Sequence, residues 1–342
     1  MSHDPELTRL VDEFFGETFG PEVITAVERD GPSAALWRAT AELGLPLIGI
    51  AEEDGGSGGT VADLLTVLQG AGRWAVPLPL AETSLAAWLL AASGAPVPAG
   101  PMTVMPEVNE LHLDGGRLTG EARAVPWLRG AARVAALIGG RVAVADPAAF
   151  GVTPGTDLAG MPSDTLTAAG VPAETYPAVV TADDLLLRGA LLRSAQLAGA
   201  ITGAYELTRG YTMERVQFGR PVARFQAVQQ HLVELAQAAT LTTLCVERAG
   251  RAAAAGRASL EIAATKSVAG RHAGLAARAA HQAHGAIGMT REYRLQQLTR
   301  RLHAWRGEFG DETSHNLRLG SAMADAGGII AAATSVASTV GV

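Results

Sequence analysis

Arg215-Val-Gln-Phe-Gly-Arg-Pro-Val-Ala-Arg-Phe-Gln226 places a turn, a guanidinium, two aromatics and an amide between two long Ala-rich segments of helical period. Gly219 and Pro221 interrupt what would otherwise be one continuous apolar-periodic run. The chain must turn there, with Arg215 closing one helix and Phe225 and Gln226 opening the next. An Arg beside a turn offers a planar fork of donors suited to phosphate oxygens, Phe offers a face for a ring, and a Gln amide both donates and accepts. That set suits a pyrophosphate. The alternative is a helix hairpin carrying one surface Arg and two core aromatics.

Outward from this turn the pattern is helical in both directions. Upstream, Thr181 stands three residues before Asp184 in a capping box, and Asp183 and Asp184 complement the positive end of the helix that follows. Helices are expected over about 182–216, 222–254, 259–286 and 291–306, with a terminal helix near 311–325. Ala236, Ala238 and Ala239, Ala252 to Ala255, and the run from Ala276 to Ala280 raise helix propensity and let helix axes approach closely. Val228, Leu232 and Leu235 recur at three- and four-residue steps, so these stretches are not low-complexity linker.

The N-terminal stretch from about 5 to 95 also reads as helical. Leu7, Leu10, Val11, Phe14 and Phe15 share a face, Ala34 to Leu43, Val61 to Trp74 and Thr83 to Ala92 repeat the pattern, and Thr60 and Thr83 are candidate N-caps. Between about 100 and 180 the period changes. Leu111 to Thr119 and Ala135 to Val144 are each two short runs joined by a Gly-containing turn, the mark of hairpins. The expected fold is mainly α with a small β domain: N-terminal helices over 1–98, a middle β domain over 99–180, and a C-terminal helical bundle over 181–342.

Composition narrows the function classes. The chain has 342 residues, 48% hydrophobic and 18% charged, with net charge −7 and one cysteine, as expected of a soluble globular protein of two or three domains. The acidic balance and dispersed basic residues argue against nucleic acid. Cys245 alone makes neither a disulfide framework nor a metal site and is expected to be a small buried hydrophobe in a reducing compartment. No apolar run reaches membrane-spanning length, and the start, Met1-Ser-His-Asp-Pro-Glu, has no basic or apolar leader, so a cytoplasmic protein is expected.

Arg215-x-x-Phe218-Gly219-x-Pro221-Val-x-x-Phe225-Gln226 resembles the flavin-binding signature of the acyl-CoA dehydrogenase family. Two further patterns stand in family order: Gln282-Ala-His-Gly285-Ala286-Ile-Gly288-Met-Thr-Arg-Glu292-Tyr293, and, near the N-terminus, Trp37 to Leu45 followed by Ile50 to Gly58. The resemblance implies N-terminal helices, a middle β domain, a C-terminal four-helix bundle and FAD as cofactor. It assigns Arg215, Phe218, Gly219, Gln226, Gln282, Gly285 and Ala286 to the adenine-diphosphate half of an FAD lodged in a neighbouring subunit. Gly285 lets backbone approach the dinucleotide, while Ala286 replaces a family glycine and adds one methyl. The implied chemistry is α,β-dehydrogenation of an acyl-CoA thioester: hydride from Cβ to the flavin, the α-proton to a carboxylate, and electrons passed on to an electron-transfer flavoprotein.

The catalytic carboxylate is where the chain departs from the family. Counting without gaps from Glu292-Tyr293, the usual glutamate falls on Phe309; the other family position, on the first bundle helix, falls near Gly189. Neither can take a proton. Glu308, Asp311 and Glu312 surround the slot, with Glu308 the candidate base and helix-start acids the alternative. His284 and His303 are secondary candidates, more readily read as hydrogen-bonded structural residues. In the middle domain the expected Thr-Glu-Pro motif is replaced by Val104-Met-Pro106-Glu107, and the domain reads as shortened; Trp127 either flanks a flavin or packs as core or surface. Three functions remain open: an FAD-dependent enzyme on an acyl-CoA or a ring-bearing CoA ester, a non-catalytic half-site subunit that completes a partner dehydrogenase's FAD site, or a shell recruited to an unrelated reaction. A homo-oligomer or a heteromer fits the first two.

Overall fold

The computed structural model describes residues 4–105, 110–256, 258–328 and 331. Five helices open the chain: α1 (Pro5–Thr18), α2 (Pro21–Asp30), α3 (Ala34–Glu42), α4 (Val61–Arg73) and α5 (Leu80–Ala92). Capping chemistry sets most of their starts. Asp4 Oδ1 accepts from the backbone N–H of Glu6 at 2.9 Å, and Thr60 and Asp63 form a reciprocal capping box on α4. Thr83 is not the cap expected of it. The α5 helix begins at Leu80, and Thr83 lies inside it, fully buried, with its hydroxyl bonded to both the N–H and the C=O of Met102. The reason is that α5 is mostly apolar and buried along nearly its whole length, so packing rather than a polar cap decides where it starts.

Two four-stranded sheets follow. The strands are β1 (Met102–Val104), β2 (His112–Asp114), β3 (Arg117–Pro126), β4 (Arg133–Ile138), β5 (Arg141–Ala145), β6 (Gly151–Thr153), β7 (Ser163–Pro172) and β8 (Glu174–Pro177). One sheet runs β1-β4-β5-β8, the other β2-β3-β7-β6. Both expected hairpins are present, with Asp114 opposite Arg117 and Ile138 opposite Arg141. The sheets enclose their own core, built around Leu118, Val125, Val134 and Leu166, and β1 docks this unit against α5.

The C-terminal part is built around α6 (Ala182–Glu214), capped by the Thr181–Asp184 box. A two-residue ribbon, β9 (Val216–Gln217) and β10 (Arg220–Pro221), joins it to α7 (Gln226–Ala254); α8 (Ser259–His284), α9 (Leu295–Trp305) and α10 (Glu312–Asp325) follow. The expected helices are thus present but shorter at their ends. The segment expected to start a helix at 222 forms a single 3-10 turn, because Pro221 and the ribbon use its backbone first. α6 packs against α4, α7, α8 and α9. Its approach to α4 is backbone to backbone: a Cβ at Gly199 would lie 1.8 Å from the carbonyl oxygen of Gln69. Cys245, expected to be buried, is half-buried on α7, and burial pushes its thiol pKa up. No helix among the described residues is long and apolar enough to cross a membrane.

Candidate functional site

A cavity of about 730 Å³ opens where the sheets meet α5, α6 and the C-terminal end of α9, a volume in the range of small-molecule sites. Its walls are apolar, among them Leu78, Val104, Met105, Leu137, Leu185 and Met161, with Trp127 and Trp305 on the lining. Trp127 is buried, in a left-handed backbone conformation, and so combines core packing with a place on the cavity wall. Pro106 and Glu107 lie outside the described residues.

The polar part of the cavity is an ion cluster. Arg193 of α6, 2% exposed, donates to Glu82 of α5 at 2.7 Å and to Glu308 at 2.5 Å, and also to Gln196; its guanidinium lies 5.4 Å from the Trp305 ring. Burial disfavours the Arg193 charge, but Glu308 and Glu82 together outweigh it and hold the pKa above its ordinary value. Burial raises the Glu308 pKa; Arg193 opposes that rise and Glu82 adds to it. Farther along, Asp157 accepts the N–H groups of Ala159 and Met161 at 2.8 Å each, with its pKa raised chiefly by burial. Fully buried Arg301 is pushed down to about 10 by burial despite Glu28 at 3.5 Å.

Of the three acids around the Phe309 slot, Glu308 alone lines the cavity. Asp311 caps α10 by accepting from Ser314 N at 2.9 Å, which with the Ser314 hydroxyl lowers its pKa. Glu312 pairs with Arg306 at 2.6 Å. Both are the helix-start acids of the alternative reading. The two positions that lack the family base face each other: a Cβ on Gly189 would lie 2.3 Å from Cδ1 of Phe309. The phenyl ring fills the space a side chain at 189 would need.

The residues assigned to the dinucleotide sit elsewhere. Arg215 ends α6, Phe218 and Gly219 form the tip of the ribbon, Gln226 begins α7, and Gln282, Gly285 and Ala286 close α8. All are exposed, Phe218 to 91%. These helix ends are neighbours, since Tyr211 stacks on His284 with ring centroids 4.6 Å apart. Among the described residues the side chains of Arg215, Gln226 and Gln282 have no hydrogen-bond partner, Gly285 has a positive φ, and a Cβ there would meet nothing within 4 Å. Free donors beside open backbone fit the phosphate and ribose half of a dinucleotide. Yet Arg215 lies about 33 Å along α6 from Arg193, at 1.5 Å per residue. One chain therefore cannot bring both sets to one small ligand.

His284 is buried, its Nδ1–H donating to Ala280 O at 2.9 Å and its pKa lowered by burial. His303 is exposed. Neither lines the cavity. Sequence reading passed over Glu82, Arg193, Gln196, Asp157 and Arg301. A signal existed: Arg193 and Gln196 interrupt an otherwise apolar run on α6, as does Glu82 on α5, and a charge inside such a run has to be paired.

Comparison with known proteins gives a consistent result. The family model described as acyl-CoA dehydrogenase, N-terminal domain, matches residues 3–97, and that described as acyl-CoA dehydrogenase, C-terminal domain, matches residues 180–323. A curated relative, acyl-CoA dehydrogenase IpdE2 of Mycolicibacterium smegmatis, is 29% identical over 313 residues, spanning 89% of this chain and 93% of its own length. Among solved structures, the Tcur3481-Tcur3483 steroid ACAD G363A variant superposes with a TM-score of 0.86 at 25% identity, covering 94% of this chain and 98% of that one. The ChsE4-ChsE5 complex from Mycobacterium tuberculosis gives 0.87 at 22% identity, covering 95% and 98%.

Proposed function

This chain belongs to the acyl-CoA dehydrogenase family, and from that premise we propose that it is an FAD-dependent, acyl-CoA dehydrogenase-like oxidoreductase that introduces an α,β double bond into an acyl-CoA thioester or a ring-bearing CoA ester. The observation that carries this reading is the cavity between sheets and bundle, with the Glu308 carboxylate on its wall beside Glu82 and Asp157. FAD, when bound, supplies the acceptor for the hydride leaving Cβ. The apolar walls hold the acyl group and exclude water, and a Glu308 carboxylate oxygen takes the α-proton as the Cα–H electron pair moves into the new C=C bond. Burial and the nearby Glu82 favour that proton uptake, while Arg193 fixes the carboxylate in place and weakens it as a base. Arg215, Phe218, Gly219, Gln226, Gln282, Gly285 and Ala286 would hold the adenine-diphosphate half of a neighbouring subunit's FAD. An electron-transfer flavoprotein is the acceptor this chemistry calls for.

One observation favours a second reading. With the Phe309 ring seated on Gly189 and Glu308 bonded to Arg193, the chain also suits a half-site subunit that lends the Arg215 turn to a catalytically complete partner. The ChsE4-ChsE5 complex and the Tcur3481-Tcur3483 steroid ACAD each carry the names of two proteins. The visible spectrum and released FAD of the protein purified alone separate the two. About one FAD per chain, bleached by an acyl-CoA in the wild type and not in Glu308→Gln, supports the enzyme. A colourless protein that gains flavin only with a second dehydrogenase chain supports the half-site, and bleaching that survives Glu308→Gln removes Glu308 from the mechanism.

A further inference from the structure

The turn between α9 and α10, which carries Glu308, holds an unfavourable backbone shape. Phe309 has φ of 53°, in the left-handed region that a non-glycine residue rarely adopts, and Gly310 follows at 86°. Something must hold it there. Three of its carbonyls turn inward to buried donors. Lys266 of α8, fully buried, donates from Nζ to the carbonyls of Arg306 at 2.8 Å and Gly310 at 2.6 Å. His315 of α10, 1% exposed, donates from Nε2 to the carbonyl of Phe309 at 2.8 Å. Neither side chain lines the cavity, and neither has a part in the chemistry above.

We propose that Lys266 and His315 are positioning residues: by gripping the carbonyls of Arg306, Phe309 and Gly310 they fix the turn that presents Glu308 to the cavity and seats the Phe309 ring on Gly189. Both donors come from helices outside the cavity, so the bundle core sets the geometry of the cavity wall. Burying an ammonium is unfavourable, and burial lowers the Lys266 pKa to about 8 against the fields of Glu308, Glu312 and Asp311, which raise it, with Arg193 adding to the fall. A cation kept at that cost, bonded among the described residues to two carbonyls of one turn and to nothing else, is there to hold the turn. The catalytic consequence rests on the proposed function; the placement does not.

The test needs no turnover. Hydrogen exchange of the amides of residues 306–312 is compared between the wild type, Lys266→Met and His315→Leu, with His315→Gln as a conservative replacement that keeps a donor. Glu308 is followed through the pH-dependent part of tryptophan fluorescence that disappears in Glu308→Gln, since Trp305 lies against Arg193. Arg193, Glu82, Asp157 and Lys266 are the charged groups acting on that carboxylate. Release of the turn into solvent removes burial, the largest cause of the raised Glu308 pKa, so the transition moves to lower pH. Loss of the Lys266 charge with the turn still in place moves it to higher pH. The expected result is at least about tenfold faster exchange in the turn and a downward shift in both Lys266→Met and His315→Leu, with His315→Gln close to wild type. Unchanged exchange, or an upward shift, overturns the proposal. If Lys266→Met does not fold, the uncharged His315→Leu decides alone. Positioning that passes this test in a protein whose flavin never bleaches refutes the catalytic reading and leaves the clamp standing; the opposite pattern does the reverse.

Discussion

Replacing Arg193 with methionine should destabilise the protein by an amount that depends on pH. The guanidinium is 2% exposed and bonds Glu82, itself 5% exposed, at 2.7 Å. Removing one partner of a pair this deep costs about 3–5 kcal/mol, because the other charge is left buried and unpaired. Glu308 adds little, about 1 kcal/mol or less, since a third of its side chain is open to the cavity and water screens it. With an unfolding entropy of about 2.1 cal/mol/K per residue, a deficit of that size lowers Tm by about 4–7 °C at pH 8. Glu308 contributes to the pH dependence. Its pKa is already raised by burial and rises further once Arg193 is gone. A carboxyl that binds its proton more tightly in the folded state loses stability as pH rises from its unfolded value, near about 4.3, through its folded value. The deficit should therefore shrink at pH 5. Thermal unfolding of wild type and variant at pH 5 and pH 8 is the assay. A deficit below about 1 °C at pH 8 would show that the cluster does not stabilise the fold through Arg193, and an equal deficit at both pH values would show that Glu308 is not coupled to it.

Arg188 calls for the opposite substitution. It is buried, its guanidinium has no hydrogen-bond or ion-pair partner among the described residues and lies 5.5 Å from the Trp88 ring, and burial pushes it down to about 10; Arg188→Met should raise Tm by about 1–4 °C, and a fall on calorimetry would mean that the guanidinium has a stabilising partner. Phe218→Ser should leave the unfolding of the isolated chain within about 0.5 kcal/mol, because that ring is 91% exposed, yet weaken oligomer formation or flavin retention in sedimentation and FAD release; unchanged behaviour in both would remove the ribbon tip from any interface. Phe309→Glu puts a carboxylate in the space facing Gly189 and should raise acyl-CoA-dependent flavin bleaching at least about tenfold in the flavin-loaded assembly, within the range of a positioned general base; no gain in stopped-flow absorbance would place the reacting carbon elsewhere.

What the sequence determined by itself was local. Thr60 with Asp63, and Thr181 with Asp184, announce helix starts because a cap acts over three residues. Gly115-Gly116 and Gly139-Gly140 announce hairpins because only a few residue types take positive φ cheaply. The break between α6 and α7 was legible in Gly219 and Pro221 for the same reason, and the order of three motifs was enough to place the family. Chemistry at the cavity was only half legible. Glu308, Asp311 and Glu312 are equivalent in a string of letters, and their separate roles follow from side-chain direction across a strained turn. Thr83 looked like a cap until burial of α5 on all sides gave its hydroxyl to Met102. The meeting of Glu82, Arg193 and Glu308, and of Lys266 and His315 with one turn, joins residues far apart in the chain. Charges and hydrogen bonds act through a few ångströms of space whatever the separation along the backbone. Packing of α5, α8 and α10 around α6 and α9 thus decides which polar groups share a site, and the tertiary structure alone fixes that packing.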